Sequence, residues 1–572
     1  MRRATPLLTA TLALLGGASA LSATPRPPAD LLIVNARVYT VDAKRPWAQA
    51  VAVQGGRIEA VGSSVELGRL KGPGTKVVDL QGRLLMPSFG DAHVHPMFGG
   101  LSHTGCALYS GKSIEDYKRL VAACAAKSPG TGVIYGSGWE DGLFPPKGIP
   151  DKAILDAVST DRPIILRSTG GHTVWVNSKA LANAGITKDT PDPKNGKIDR
   201  DAKGEPIGCL EELAQDLIDA QLPPTTEKDR EDALYYTLHT LNALGITTWQ
   251  DALVDVAADG SSPVVDAYHA VQQRGDFTIR ATLDLLWAND RGLEQLPVLF
   301  RAADRARTLG VQVNAVKFLL DGVIPQHTAA MLEPYEDSTD RGDLEVPEAT
   351  FREAVKQVDG HGLQAHIHAI GDRAVHVALD AFGAARAAGL SNSRDMISHM
   401  NVIEPADQPL FGKFGVTAIF QPLWATDEPY MRLTIKTIGP VRSRFIYPEQ
   451  NVLKGGGRIA YGSDWPVASA DPLAGIEVAL TRRDPEHPGL TPLLPDQAVS
   501  LAEAVKDYTL EPAWVNHLEH ETGSIEVGKS ADMIVLDKDI FRLPANQIHT
   551  TRVLATLFKG KPVYGSLDLG AR

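Results

Sequence analysis

Two histidines one residue apart, His93 and His95, close the apolar run Leu84-Leu85-Met86-Pro87-Ser88-Phe89-Gly90-Asp91-Ala92. On a strand, side chains at i and i+2 share a face, so both imidazoles aim at one spot where the strand leaves the core. Two neutral imidazoles aimed together supply half of a transition-metal site. Side chains able to complete it recur far along the chain. Lys317 lies in Val316-Lys317-Phe318-Leu319-Leu320, and His366 and His368 lie in Gln364-Ala365-His366-Ile367-His368. His399 closes Met396-Ile397-Ser398-His399, and Asp464 closes Ile459-Ala460-Tyr461-Gly462-Ser463-Asp464. Taken singly, a His or Asp at a strand end is an ordinary hydrogen-bonding residue. Taken together at the ends of separate apolar runs, these imidazoles and the carboxylate are the ligand types of zinc or a similar divalent ion. His366 and His368 share a face, and alternation alone does not choose between them.

Stepping outward from these residues, Val313 to Leu320, Leu363 to Ile370, Met396 to His399, Val416 to Gln421 and Arg458 to Asp464 read as strands. Helical runs such as Phe351–Val358, Ala374–Ala388 and Leu473–Arg483 lie between them. This alternation predicts parallel βα units, enough for an α/β fold of the (β/α)8 TIM-barrel type, whose active sites gather at the C-terminal ends of the strands. Residues 24–85 and 510–572 carry short strand-like runs, with Gly55-Gly56 as a hairpin signal, and are expected to form a small β-sandwich from both chain ends. The barrel is placed at 86–509, with 100–224, rich in Gly, Pro and Asp, as an insertion after its first strand.

Arg2 and Arg3, an apolar stretch from Pro6 to Leu21 and the small residues Ala18-Ser19-Ala20 read as a signal peptide over residues 1–23. An exported protein follows, periplasmic or secreted, with no membrane attachment after cleavage. A net charge of −12 with no basic run excludes nucleic acid as a partner. Cys106, Cys124 and Cys209 lack metal-binding spacing, and their odd number leaves one unpaired. All three are read as buried or inert thiols. There is no Walker loop and no Gly-x-Ser-x-Gly elbow, and His517 and His520 read as surface residues.

The chain resembles the metal-dependent amidohydrolase superfamily, in the branch that includes N-substituted formamide deformylases. The likeness rests on His93-Val94-His95, Gly170-Gly171-His172-Thr173-Val174-Trp175-Val176-Asn177-Ser178, Val316-Lys317, His368-Ala369-Ile370-Gly371-Asp372-Arg373, His399, Gly462-Ser463-Asp464-Trp465-Pro466 and the stretch from Gly523 to Asp532. It departs from the family pattern at Ser88-Phe89-Gly90-Asp91-Ala92, before the intact His pair. The resemblance implies hydrolysis of a non-peptide C–N bond, amide, N-acyl or N-formyl, in a small molecule by metal-activated water. It implies two divalent ions, zinc foremost: His93, His95 and Asp464 at one, His368 and His399 at the other. Lys317, N6-carboxylated by carbon dioxide, would bridge them. The alternative for Lys317 is an ion pair with an acid such as Asp321. Asp464 would be the catalytic acid–base, and His172 a hydrogen-bond donor to the substrate carbonyl. Trp175 and Trp139 would grip the substrate, with Trp424 and Trp465 as further rim aromatics. Asp372 and Arg373 would brace the fifth strand. The same site also suits ester or lactone hydrolysis or hydration of a double bond, and an exported barrel that only binds is the contrasting reading. A homo-oligomer stays open.

Overall fold

Apolar runs covered on both faces form parallel strands, and eight of them make the central sheet of the computed structural model. The structure describes residues 28–568 apart from 104, 128–129, 145–147, 195 and 391–393. The expected signal peptide lies outside the described residues. In chain order the barrel strands are Phe89–Val94, Ile246–Val254, Arg280–Leu286, Gln312–Leu319, Gln364–Ala369, Met396–His399, Thr417–Phe420 and Arg458–Tyr461, each hydrogen-bonded in parallel to the next. The second and third strands are additions to the sequence reading. At the closing edge the Asp464 N–H donates to the His93 carbonyl, 2.8 Å. A side chain at Gly462 would meet the His93 nitrogen at 2.6 Å, so glycine permits that approach.

Helices cover the outside with their apolar faces inward, as Glu348–Gly360 does with Phe351, Ala354, Val355 and Val358. The floor is closed by Leu510–Val515. Val515 packs with Ala92, Met396, Ile419 and Ala460, and its carbonyl accepts from Gln364 Nε2. The chain after residue 510 therefore first completes the barrel, and the end-sheet strands resume at Met533–Leu536. This moves the expected boundary toward the C-terminus.

Both chain ends build two sheets. One orders Arg57–Gly62, Ala50–Gln54, Leu31–Val34 and Lys76–Asp79. The other orders Lys561–Gly565, Val553–Phe558, Met533–Leu536, Leu84–Pro87, Arg37–Tyr39 and Trp47–Ala48. They share one apolar cluster, in which Ile33, Val51 and Val53 from the first join Leu85, Met533, Val535 and Ala555 from the second. Only Ser88 separates Leu84–Pro87 from the first barrel strand, and its hydroxyl meets Thr247 Oγ1 on the second at 2.5 Å. The His93/His95 strand is thus anchored in two sheets at once.

The insertion is more regular than its composition suggests. Cys106–Ala107, Ile134–Trp139, Ile164–Ser168, Thr173–Val176, Pro206–Glu212 and Gly196–Arg200 form a six-stranded mixed sheet with its own apolar clusters. Cys106 and Cys124 form a disulfide, which corrects their reading as free thiols, while Cys209 is a buried free thiol. Among the described residues no helix is long and apolar enough to cross a membrane.

Candidate metal centre

The strand ends bring the predicted residues to one mouth. His93 ends the first strand and His95 follows it. Lys317, His368 and His399 come from the fourth, fifth and sixth, and Asp464 lies just past the eighth. Nε2 of His95 and of His93 stand 2.8 and 3.2 Å from Asp464 Oδ1, which has no partner outside these two imidazoles among the described residues. Donor atoms of these three side chains all lie within 4.8 Å of one another. The His399 ring is 4.7 Å from that of His93 and 4.6 Å from that of His368. His399 (φ 80°) and Asp464 (φ 59°) both hold left-handed backbone, a strain of roughly 1–2 kcal/mol each that the surrounding packing must impose.

Electrostatics favour lone pairs over protons here. Burial, then the Lys317 charge, holds the His93 imidazole well below its usual value. His368 falls to about 3 by burial, Lys317 and His172, and His399 falls by burial and His368. Burial pulls Lys317 down to about 7, against the opposing pull of Asp464 and Asp284. Burial pushes the Asp464 carboxyl up, but His95, His399 and Lys317 outweigh it and leave it below the usual range. His93, His368 and His399 are therefore neutral imidazoles near an ionised carboxylate, a donor set that suits a divalent cation. Lys317 Nζ is buried with no hydrogen-bond partner among the described residues. Its expected alternative partner, Asp321, is taken up by the backbone N–H groups of Ala330, Ile370 and Gly371. A buried amine without a partner is costly and calls for a missing group. The residues present fit a metal site.

Neighbouring residues orient the ring nitrogens. Gln421 Oε1 accepts from His399 Nδ1, 3.0 Å, leaving Nε2 free. Trp424 stacks on that ring at 5.4 Å. Both nitrogens of His366 are engaged, by Asp284 and by Ser398, so on the fifth strand His368 is the imidazole that faces the mouth. Asp372 accepts from the Leu332 N–H and Arg373 donates its N–H to Ala330, which ties the loops after the fourth and fifth strands together.

The insertion divides the remaining candidates. His172 is half-buried, with Nδ1 3.1 Å from Glu212 Oε1. Burial lowers its pKa, but Glu212, Asp141 and Asp464 outweigh it and raise it, so the ring is electrostatically coupled to the cluster. Glu212 escaped the sequence reading. It sits 40 residues from His172, at φ 49°, and no spacing signals the pair. Trp139 and Trp175 are fully buried in the apolar cluster of the insertion. Their indole N–H groups donate to the carbonyls of Leu166 and Asp151. This overturns their role as substrate grips: they are core, with their single donors already used. Trp465 is nearly buried, stacked 6.0 Å from His103. His517 and His520 are surface residues, as read.

Comparison with known proteins bears on the family and the fold. The sequence pattern of the Amidohydrolase family matches residues 76–564. Protein LONG AFTER FAR-RED 3 of Arabidopsis thaliana is 29% identical over 553 residues, 94% of this chain and 92% of its own length. N-substituted formamide deformylase of Arthrobacter pascens is 26% identical over 558 residues, 93% of this chain and 97% of its own. A solved structure of an uncharacterized metal-dependent hydrolase from Pyrococcus horikoshii superposes with a TM-score of 0.69 at 22% identity, covering 90% of this chain and 99% of the other, and shares the fold.

Proposed function

We propose that this chain, which belongs to the amidohydrolase family, cleaves a non-peptide C–N bond, amide, N-acyl or N-formyl, in a small molecule. The observation that carries this reading is the convergence of His93 and His95 on the ionised Asp464 carboxylate beside an unpartnered buried lysine. The deformylase relative, alike over nearly its whole length, supports the bond type.

Two divalent ions, zinc, would be held by His93, His95 and Asp464 and by His368 and His399, with Lys317 common to both. Bound there, such ions supply a Lewis acid for the carbonyl and water acidified toward neutrality. Near pH 7 part of the Lys317 population is the free amine, whose nitrogen would add to the carbon of carbon dioxide and release one proton to solvent, giving an anionic carbamate. That step turns a repelled cation into an oxygen ligand. Asp464 takes the proton from the attacking water and returns it to the leaving nitrogen. His172, held by Glu212, donates to the carbonyl oxygen as charge develops there. The Cys106–Cys124 disulfide, a bond that persists in oxidising compartments, supports export.

The test is metal quantification in the purified enzyme, followed by a screen of N-formyl, N-acetyl and N-acyl amino acid amides. Equimolar amine and carboxylic acid, lost on chelation, are expected. Turnover that survives exhaustive chelation, or amine released without a matching acid, overturns the reading.

A further inference from the structure

His366 belongs to no step above, yet it is fully buried under the mouth in a chain of polar groups that runs from the barrel interior to a candidate ligand. Asp284, His366 and Ser398 are all inaccessible to solvent. His366 Nδ1 lies 2.6 Å from Asp284 Oδ2, and His366 Nε2 lies 2.5 Å from Ser398 Oγ. His93 Nδ1 lies 2.8 Å from the same Ser398 oxygen and 3.1 Å from His366 Nε2 itself, so its proton can be shared between the two.

The direction of these bonds is determined by their far end. Asp284 receives Gln250 Nε2 on both carboxylate oxygens, 3.0 Å each; burial raises this carboxyl to about 7, and in its ionised form it can only accept. His366 must then carry its proton on Nδ1 and offer Nε2 as an acceptor. At 2.5 Å Ser398 has to donate its single proton to that nitrogen, because otherwise two acceptors would face each other. Its oxygen can then only accept from His93, which places the His93 proton on Nδ1 and the lone pair on Nε2. Nε2 is the atom 3.2 Å from Asp464.

We infer that Asp284 and His366 are positioning residues that act through Ser398 to lock His93 in the one tautomer able to bind a cation. Without the carboxylate the chain could reverse. His366 would donate from Nε2, Ser398 would donate to His93 Nδ1, and the His93 proton would sit on Nε2, facing the centre. The second ligand of this kind, His399, is oriented by Gln421, so each imidazole has its own orienting partner. The inference rests on His93 being a ligand, as in the proposed function.

The experiment uses the full-length enzyme stripped of metal, with zinc titrated against a competing chelator. The imidazole nitrogens are read by NMR in histidine-labelled protein, with His93 assigned by the signal that His93→Gln loses. In Asp284→Asn and in Ser398→Ala, zinc affinity is expected to fall about 10- to 100-fold, and a second His93 tautomer should appear in the metal-free spectrum. Ser398→Thr, which keeps the hydroxyl, should recover the affinity. Asp284→Asn or Ser398→Ala enzyme that binds zinc within twofold of the wild type with an unchanged His93 spectrum overturns the inference. So does Ser398→Thr binding no better than Ser398→Ala. A wild-type enzyme that binds no zinc overturns the site reading as well, which separates the two failures.

Discussion

The barrel mouth and the insertion both carry motifs that suggest chemistry, and the candidate residues of the two differ in how their buried polar atoms are met. At the mouth, Lys317 Nζ is buried without a hydrogen-bond partner among the described residues, Asp464 Oδ1 faces only the candidate ligands His93 and His95, and His399 and Asp464 hold left-handed backbone. In the insertion core, Trp139 and Trp175 are equally buried, and each indole N–H has its carbonyl. Burial is the same; satisfaction differs. Partnerless atoms also occur elsewhere, at Nε1 of Trp249 and Trp287 and at Ser168 Oγ, so the pair at the mouth draws its meaning from lying among metal-type donors. His172 falls between: it has a partner in Glu212, is half-buried, and feels the charge of the cluster.

The largest effect that tests this contrast is at the Asp464 carboxylate. Asp464→Asn removes the proton acceptor and one anionic donor but keeps the shape. It should lower kcat about 10²- to 10⁴-fold while some metal is retained. Near-normal turnover, measured beside metal content, would assign Asp464 to the fold instead. The orphaned amine makes the companion case. Metal-stripped enzyme refolded with bicarbonate should take up more zinc and regain more activity than enzyme refolded without it. Equal uptake and activity would mean that Lys317 stays an amine. His172→Ala should cost less, about 10²-fold in kcat, the scale of losing one donor to a developing oxyanion, with metal content unchanged. Unchanged kcat would place His172 with the tryptophans.

Titration sharpens the same contrast. His93, His366 and His399 lie well below the usual histidine value, and His368 lies at about 3, with burial the first cause in each. Between pH 6.5 and 3 the unfolded chain therefore binds protons that the metal-free fold excludes. The contribution of these histidines to stability falls as pH falls through that window, by about 1.4 kcal/mol per pH unit for each. Buried carboxyls raised to about 7, such as Asp251 and Asp321, act in the opposite sense over the same window, so the readout is the difference: in thermal unfolding from pH 7 to 5, stripped His368→Asn should lose less stability, or gain more, than the stripped wild type. A variant with the wild-type slope would mean that His368 is protonated in the fold.

How much of this was legible in the sequence follows from where each signal resides. His93, His95, His399 and Asp464 close apolar runs, so periodicity and position together place them at strand ends. The choice of His368 over His366 came from the family likeness. The structure supplies its reason, the engagement of both His366 nitrogens. The second and third barrel strands carry their polar side chains, Gln250 and Asp284, inside the barrel, with no terminal motif to mark them. Glu212 and the Cys106–Cys124 bond are contacts between distant segments, and no local pattern encodes which distant segments meet. Trp139 and Trp175 were misplaced because a tryptophan in a Gly-rich stretch reads alike whether it lines a rim or fills a core.

That last ambiguity yields the smallest kinetic effect and a clean test. Trp139→Phe and Trp175→Phe keep an aromatic ring but delete the donor to Leu166 or Asp151 and leave space beside Phe144, which packs against both indoles at 5.6 and 5.2 Å. A core role predicts a loss of about 1–3 kcal/mol from the cavity and the unpaired carbonyl. A substrate-gripping role predicts little change in stability and a raised KM, since the ring would touch substrate and little else. Unfolding midpoints and KM measured on the same preparations separate the two. A lowered midpoint with KM within twofold of the wild type assigns both residues to the scaffold that carries His172. A raised KM on an undamaged fold would return them to the rim and erase the contrast between the two regions.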